Sequence, residues 1–162
     1  MSGSRRGRNE RSTASRLAAV QALYQLDIES NSVEEALDSV KLRGAQLDEA
    51  GLTAEIDVER TETIVRGVAA DKAGRLDEMI DGSLSGGWNS GRLESLMRVI
   101  LRAGIYELLE CSDVPAKVVI NEYVDVAHAF FDRGEPGMVN AVLDRLAHIL
   151  RAAEFGSAAS AR

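Results

Sequence analysis

One periodicity dominates this sequence: apolar residues recur three and four positions apart, and no segment alternates in twos as a half-buried strand would. The run from 92 to 110 shows it most strongly. Leu93, Leu96, Met97, Ile100, Leu101, Ile105 and Leu108 form a stripe wide enough to bury one whole side of a helix. From about Ser12 the same spacing links Leu17, Val20, Tyr24 and Ile28, and after a break at Asn31–Ser32 it links Val33, Leu37 and Val40. Ser32 and Glu35 have the S-x-x-E form of a capping box, in which each side chain meets the other residue's amide. Asp57 or a neighbour opens a run through Ile64, Val65 and Val68, which either breaks near Ala70–Asp71 or continues into Leu76, Met79 and Ile80.

Two more helices are predicted towards the C-terminus. Val119, Tyr123, Val126 and Phe130 give one its buried side, with Asn121, Asp125, His128 and Asp132 opposite. Asp113 or Ser112 is the expected cap, with Pro115 in the first turn. Val139, Val142, Leu143, Leu146 and Leu150 define the last. Residues 44–55 read as a weakly periodic connection. Gly82, Gly86, Gly87 and Gly91 around Trp88 read as a loop. The expected fold is therefore all-α: a single compact bundle of about seven helices over residues 12–151, with a flexible arm at 1–11 and a disordered tail at 152–162.

A chain of 162 residues, 45% hydrophobic, suits one domain with a real core and is too apolar for a disordered one. One cysteine, Cys111, excludes an internal disulfide and a cysteine-built zinc site. No apolar run reaches the roughly 18 residues of a membrane span, and no apolar stretch follows the basic N-terminus as in a secretion signal. A cytoplasmic protein is expected; the Arg and Ser richness of residues 2–16 is shared with organellar presequences.

The net charge of −7 argues against nucleic acid only if charge is spread evenly, and it is not. Residues 1–16 hold five Arg (Arg5, Arg6, Arg8, Arg11 and Arg16) against Glu10 alone, a net +4. The remainder holds 14 basic and 25 acidic side chains, a net −11. Cations at the positive end of a helix dipole are mildly unfavourable, so a cluster there makes sense if an anion such as an RNA phosphate joins it; a solvated tail is the other reading. Phe130–Phe131, beside the turn at 132–137, offers a ring for base stacking or for the core.

Catalytic patterns are not found. Ser85–Gly86–Gly87 lacks the Lys-Ser/Thr ending of a phosphate loop and follows no strand. His128 and His148 lie twenty residues apart without a carboxylate at metal-ligand spacing. No nucleophile, base and orienting group assemble, so neither an enzyme nor a cofactor or metal is expected.

Several segments taken together resemble a known family. SRLAAVQALY at 15–24, MRVILRAGIYELLE at 97–110, SDVPAKVVINEYVDVAHAFF from Ser112 and VNAVLDRLA at 139–147 resemble, in character and order, the NusB family of bacterial transcription antitermination proteins. The resemblance covers about residues 11–150. It implies a non-catalytic helical bundle that binds boxA-type single-stranded RNA and pairs with the small-subunit ribosomal protein NusE. It also implies a place in the RNA polymerase antitermination complex during ribosomal RNA transcription; some members form homodimers. By this resemblance the arm arginines, Arg16, Phe130 and Met138 face RNA, and Tyr24, Arg92 and Met97 meet the ribosomal protein. The chain departs from the family pattern at Ser12–Thr13–Ala14, where some members carry arginines. It departs again at Gly137–Met138, where a lysine and an aromatic ring are common, and at Met97, often acidic in relatives. The alternative is a helical protein–protein adaptor without RNA binding.

Overall fold

A computed structural model of the chain describes residues 2–49, 56–85, 88–89, 91 and 93–156, with the backbone alone for 2–11 and 45–49. All regular structure among them is helical: α1 (Ser2–Ile28), α2 (Val33–Glu49), α3 (Val58–Ala69), α4 (Arg75–Ser83), α5 (Ser95–Glu110), α6 (Ala116–Phe130), α7 (Glu135–Leu150) and the single turn α8 (Ala152–Phe155). These form two compact units, α1–α3 and α4–α8.

In the first unit α1 packs on α2 and α3. Ala19, Val20, Ala22 and Leu23 of α1, Ala36 and Leu37 of α2, and Ile64 and Val65 of α3 are buried. The ends are fixed by short polar side chains. The Ser32 amide donates to Glu35 at 2.9 Å and the Glu35 amide donates to Ser32 Oγ at 3.1 Å, which is the reciprocal capping box the sequence predicts. Asp57 caps α3 by accepting from the Arg60 amide at 3.1 Å, while its own amide donates to Ser15 Oγ on α1 at 2.7 Å. Thr61 Oγ1, also buried, lies 3.2 Å from the Ser15 carbonyl, so a polar seam joins α1 to α3.

Two boundaries differ from the sequence reading. The backbone is helical from Ser2, where the sequence suggests an irregular arm up to residue 11. Arg and Glu are good helix formers, and Gly3 and Gly7 weaken such a run by about 1 kcal/mol each without ending it. Likewise α2 runs to Glu49 through the expected connection, because Ala-Gln-Leu-Asp-Glu at 45–49 favours helix even where apolar periodicity fades; residues 50–55 lie outside the described residues.

In the second unit the run after α3 breaks. Asp71 accepts from the amides of Arg75 (3.2 Å) and Leu76 (2.9 Å), and Gly74, at φ +75°, turns the chain into α4 through the left-handed region that glycine tolerates. Arg102 of α5 grips Asp77 of α4 with two bonds, Nε at 2.7 Å and Nη2 at 2.9 Å. Arg98 adds ion pairs to Asp77 at 3.4 Å and Asp81 at 3.3 Å. Hydrogen bonding from Arg102 holds the Asp77 carboxyl below the ordinary carboxylate range despite opposing burial, and the charges of Arg102 and Arg98 add to the fall.

Helices α5, α6 and α7 pack on one another. A Cβ at Gly104 would stand 2.8 Å from Leu143 Cδ1 and 3.4 Å from Tyr123 Cδ2, so the bare backbone of α5 is what permits this approach. Beside it the Tyr123 hydroxyl donates to the Glu107 carboxylate, both residues being wholly buried.

The cap of α6 is not the one expected. Pro115 is its N-cap and has no side-chain acceptor; the Ala116 amide donates instead to Glu154 of α8 at 2.9 Å. A carboxylate 38 residues away thus takes the part that sequence pattern assigns to Asp113 or Ser112. The expected disorder after 151 likewise gives way to α8 for residues 152–155. Arg151 accounts for this. Its Nε donates to the Leu108 carbonyl (2.6 Å), its Nη2 to those of Glu107 (3.1 Å) and Cys111 (2.9 Å), and its Nη1 to Val114 (3.0 Å) and to Glu154 (2.7 Å). Residues 157–162 lie outside the described residues.

Replacing Arg151 by Ala removes all of these bonds and leaves the Glu107 and Cys111 carbonyls only their backbone donors, the amides of Cys111 and Val114; a loss of about 3 kcal/mol is expected, near 10 °C in thermal midpoint. Arg151→Lys, lacking the fork, is expected to recover less than half; circular dichroism checks both. For Asp77 the sign follows from its depressed pKa. Its stabilisation is complete above the unfolded-chain value of about 4 and is lost as pH falls through the lower folded value. The stability difference between the native chain and Asp77→Asn, measured by urea unfolding, is therefore expected to be full at pH 7 and to shrink progressively as pH falls below about 4.

Candidate nucleic-acid interface

The basic segment belongs to α1. Arg5, Arg8 and Arg11, spaced three apart on helical backbone, occupy positions within roughly a third of the helix circumference, with Arg6 on another side; their side chains lie outside the described residues. Arg16 is different. It is 1% exposed, and its Nη1 donates to Ser12, to the hydroxyl and to the carbonyl at 3.4 Å. Inside the helix its geometry is fixed, as the sequence indicates, but the guanidinium is buried rather than offered to a phosphate.

The reverse holds for Phe130. Its register places it on the apolar stripe of α6, yet it is 38% exposed, because it is the last residue of the helix and the chain leaves into the turn before another side chain covers it. Met138, on the first turns of α7, is buried at 6% exposure. Phe130 and Met138 therefore flank one turn, with only the ring accessible. Arg133, between them in sequence, is exposed, and its amide donates to Glu135 at 3.3 Å. A further aromatic joins them: Trp88, half-buried, has its Cζ2 3.8 Å from where a Cβ on Gly134 would sit. Sequence pattern places Trp88 in a glycine-rich loop, and no local signal connects it to a turn 46 residues later.

Of the positions expected to meet a protein partner, Tyr24 is half-buried near the end of α1, where Ile28 is 56% exposed. Met97 is 1% exposed and belongs to the core of α5. Arg92 lies outside the described residues. Among the described residues no group of His, Cys, Asp and Glu is disposed to hold a metal ion, and no helix is long and apolar enough to cross a membrane.

The described residues thus combine a basic first helix with an α6–α7 turn that bears exposed phenylalanine and arginine side chains. Similarity to known proteins is specific: residues 13–148 match the NusB family, and the chain belongs to it. It is 45% identical to the transcription antitermination protein NusB of Nitrobacter hamburgensis, covering 88% of this chain and 89% of that one. It is 48% identical to the NusB of Rhodospirillum rubrum, covering 94% and 91%. The solved structure of T. maritima NusB superposes with a TM-score of 0.66 at 29% identity, over 83% of this chain and 89% of that one.

The burial of Arg16 has a measurable consequence. Arg16→Ala is expected to cost about 3 kcal/mol of folding stability, as loss of a large, fully buried, hydrogen-bonded side chain does, and to leave the salt dependence of RNA binding unchanged. An unaltered unfolding midpoint with a shallower salt slope would return Arg16 to the RNA-facing set.

Proposed function

We propose that this protein is a cytoplasmic, non-catalytic transcription antitermination factor that binds boxA-type single-stranded RNA in company with the ribosomal protein NusE. The observation that carries the reading is the charge division: a net +4 over residues 1–16 on a body of −11, in a chain of the NusB family. Arg5, Arg6, Arg8 and Arg11 precede the segment 13–148 that matches the family and lie where the resemblance puts RNA-facing arginines. It supplies the phosphate contacts, and Phe130 supplies a ring to a base. The acidic body disfavours indiscriminate coating of RNA and suits a basic partner, which Tyr24 and Arg92 would meet.

Neutralising Arg5, Arg6, Arg8 and Arg11 to Gln is expected to weaken RNA binding while leaving the fold intact. The slope of log affinity against log salt is expected to fall by about 0.7 for each phosphate that is no longer neutralised. Fluorescence anisotropy of labelled boxA-type RNA at several salt concentrations, with and without the ribosomal partner, reads both quantities. Equal affinity and slope in the neutralised chain removes the role of the basic helix. Absence of RNA binding in every condition leaves the adaptor reading instead.

A further inference from the structure

We propose that Trp88, Phe130 and Arg133 form a base-stacking site at the α6–α7 turn, with Trp88 as its principal ring; this rests on the RNA-binding reading and adds to it a residue that charge and family resemblance do not indicate. Three of the seven aromatic residues of the chain, Trp88, Phe130 and Phe131, belong to this turn or lie beside it. Aromatic side chains usually spend their area in a core, and Tyr123 here does so completely. Phe130 is exposed and Trp88 half-buried, so part of each remains outside the packed interior.

The surroundings favour a flat ligand. The Trp88 amide donates to the Ser85 carbonyl at 3.2 Å, which fixes the backbone that carries the indole. Gly134 offers no side chain on the flank that the indole approaches, and a Cβ at Gly137 would meet nothing within 4 Å. Exposed Arg133 brings a planar cation that stacks on a base as readily as it pairs with phosphate. Asp132 and Glu135 flank it, so the local charge is not positive. The site is consequently suited to stacking and poorly suited to phosphate neutralisation, and its share of RNA affinity depends little on salt, in contrast to the basic helix.

The chain contains one tryptophan, so its emission reports on this site alone. In a titration of the full chain with labelled boxA-type single-stranded RNA, Trp88 emission is expected to be quenched with the same midpoint as the anisotropy change. Trp88→Leu is expected to weaken binding about five- to hundredfold, with Trp88→Phe closer to the native chain and the salt slope unchanged in both. RNA binding that leaves Trp88 emission unaltered overturns the stacking site and spares the RNA-binding reading; so does unchanged affinity in a folded Trp88→Leu. No anisotropy change at all ends both. Should Trp88→Leu unfold by circular dichroism, the emission titration of the native chain decides alone.

Discussion

The guanidinium of Arg151 meets the carbonyls of Glu107, Leu108, Cys111 and Val114, and the α4–α8 unit depends on it. The last carbonyls of a helix have no partner within it, and burying them unmet costs more than almost any single interaction returns. Here the chain must reverse within five residues between α5 and α6, and Arg151 adds a second bond to the carbonyls of Glu107 and Cys111, which already accept from the amides of Cys111 and Val114, besides meeting those of Leu108 and Val114. One planar fork with five donors meets the problem as no short side chain could. Glu154, held by the same arginine, then takes the first amide of α6. Both ends of one tight connection are thus closed by a single ion pair in the last described turn. Hydrogen bonds from the Ala116 amide and from Arg151 hold the Glu154 carboxyl below its ordinary range, which favours the charged form of the clamp.

With that connection fixed, the core follows from sequence in an ordinary way. The α5 stripe is buried at Met97, Ile100, Leu101, Ile105 and Leu108, and α7 is buried at Val139, Val142, Leu143 and Leu146, as their spacing indicates. Gly104 lets these helices close on Tyr123. The buried Tyr123–Glu107 bond then ties α6 to α5 and fixes their register, because a carboxylate at the centre of a core tolerates few alternative partners.

What can be read from the chain, and what cannot, divides by the range of the interaction. The capping box at Ser32 and Glu35 and the cap at Asp57 are contacts over three residues, and local pattern is enough to find them. Periodicity finds the buried stripes of the long helices for the same reason, but leaves open the break between α3 and α4 that Asp71 and Gly74 make. The α6 cap, the ordered turn at 152–155 and the approach of Trp88 to Gly134 join residues far apart in sequence, and composition carries no trace of them. Among candidate site residues the differences are of burial. Periodicity specifies an angle around a helix axis but not whether a neighbouring helix extends far enough to cover it. Phe130 therefore emerges exposed at a helix end, while Arg16 and Met97 vanish into the interior.

The position of Arg151 also bears on synthesis. A ribosome delivers α5 and α6 well before the arginine that completes their junction, and domains fold as their residues emerge. Until residues 151–154 are outside the exit tunnel, the carbonyls of Leu108 and Val114 lack this guanidinium and the first amide of α6 lacks its carboxylate, so the helix pair stays an unfinished hairpin. The α4–α8 unit is thus completed late, once Arg151 and Glu154 can reach the junction that α5 and α6 have already formed.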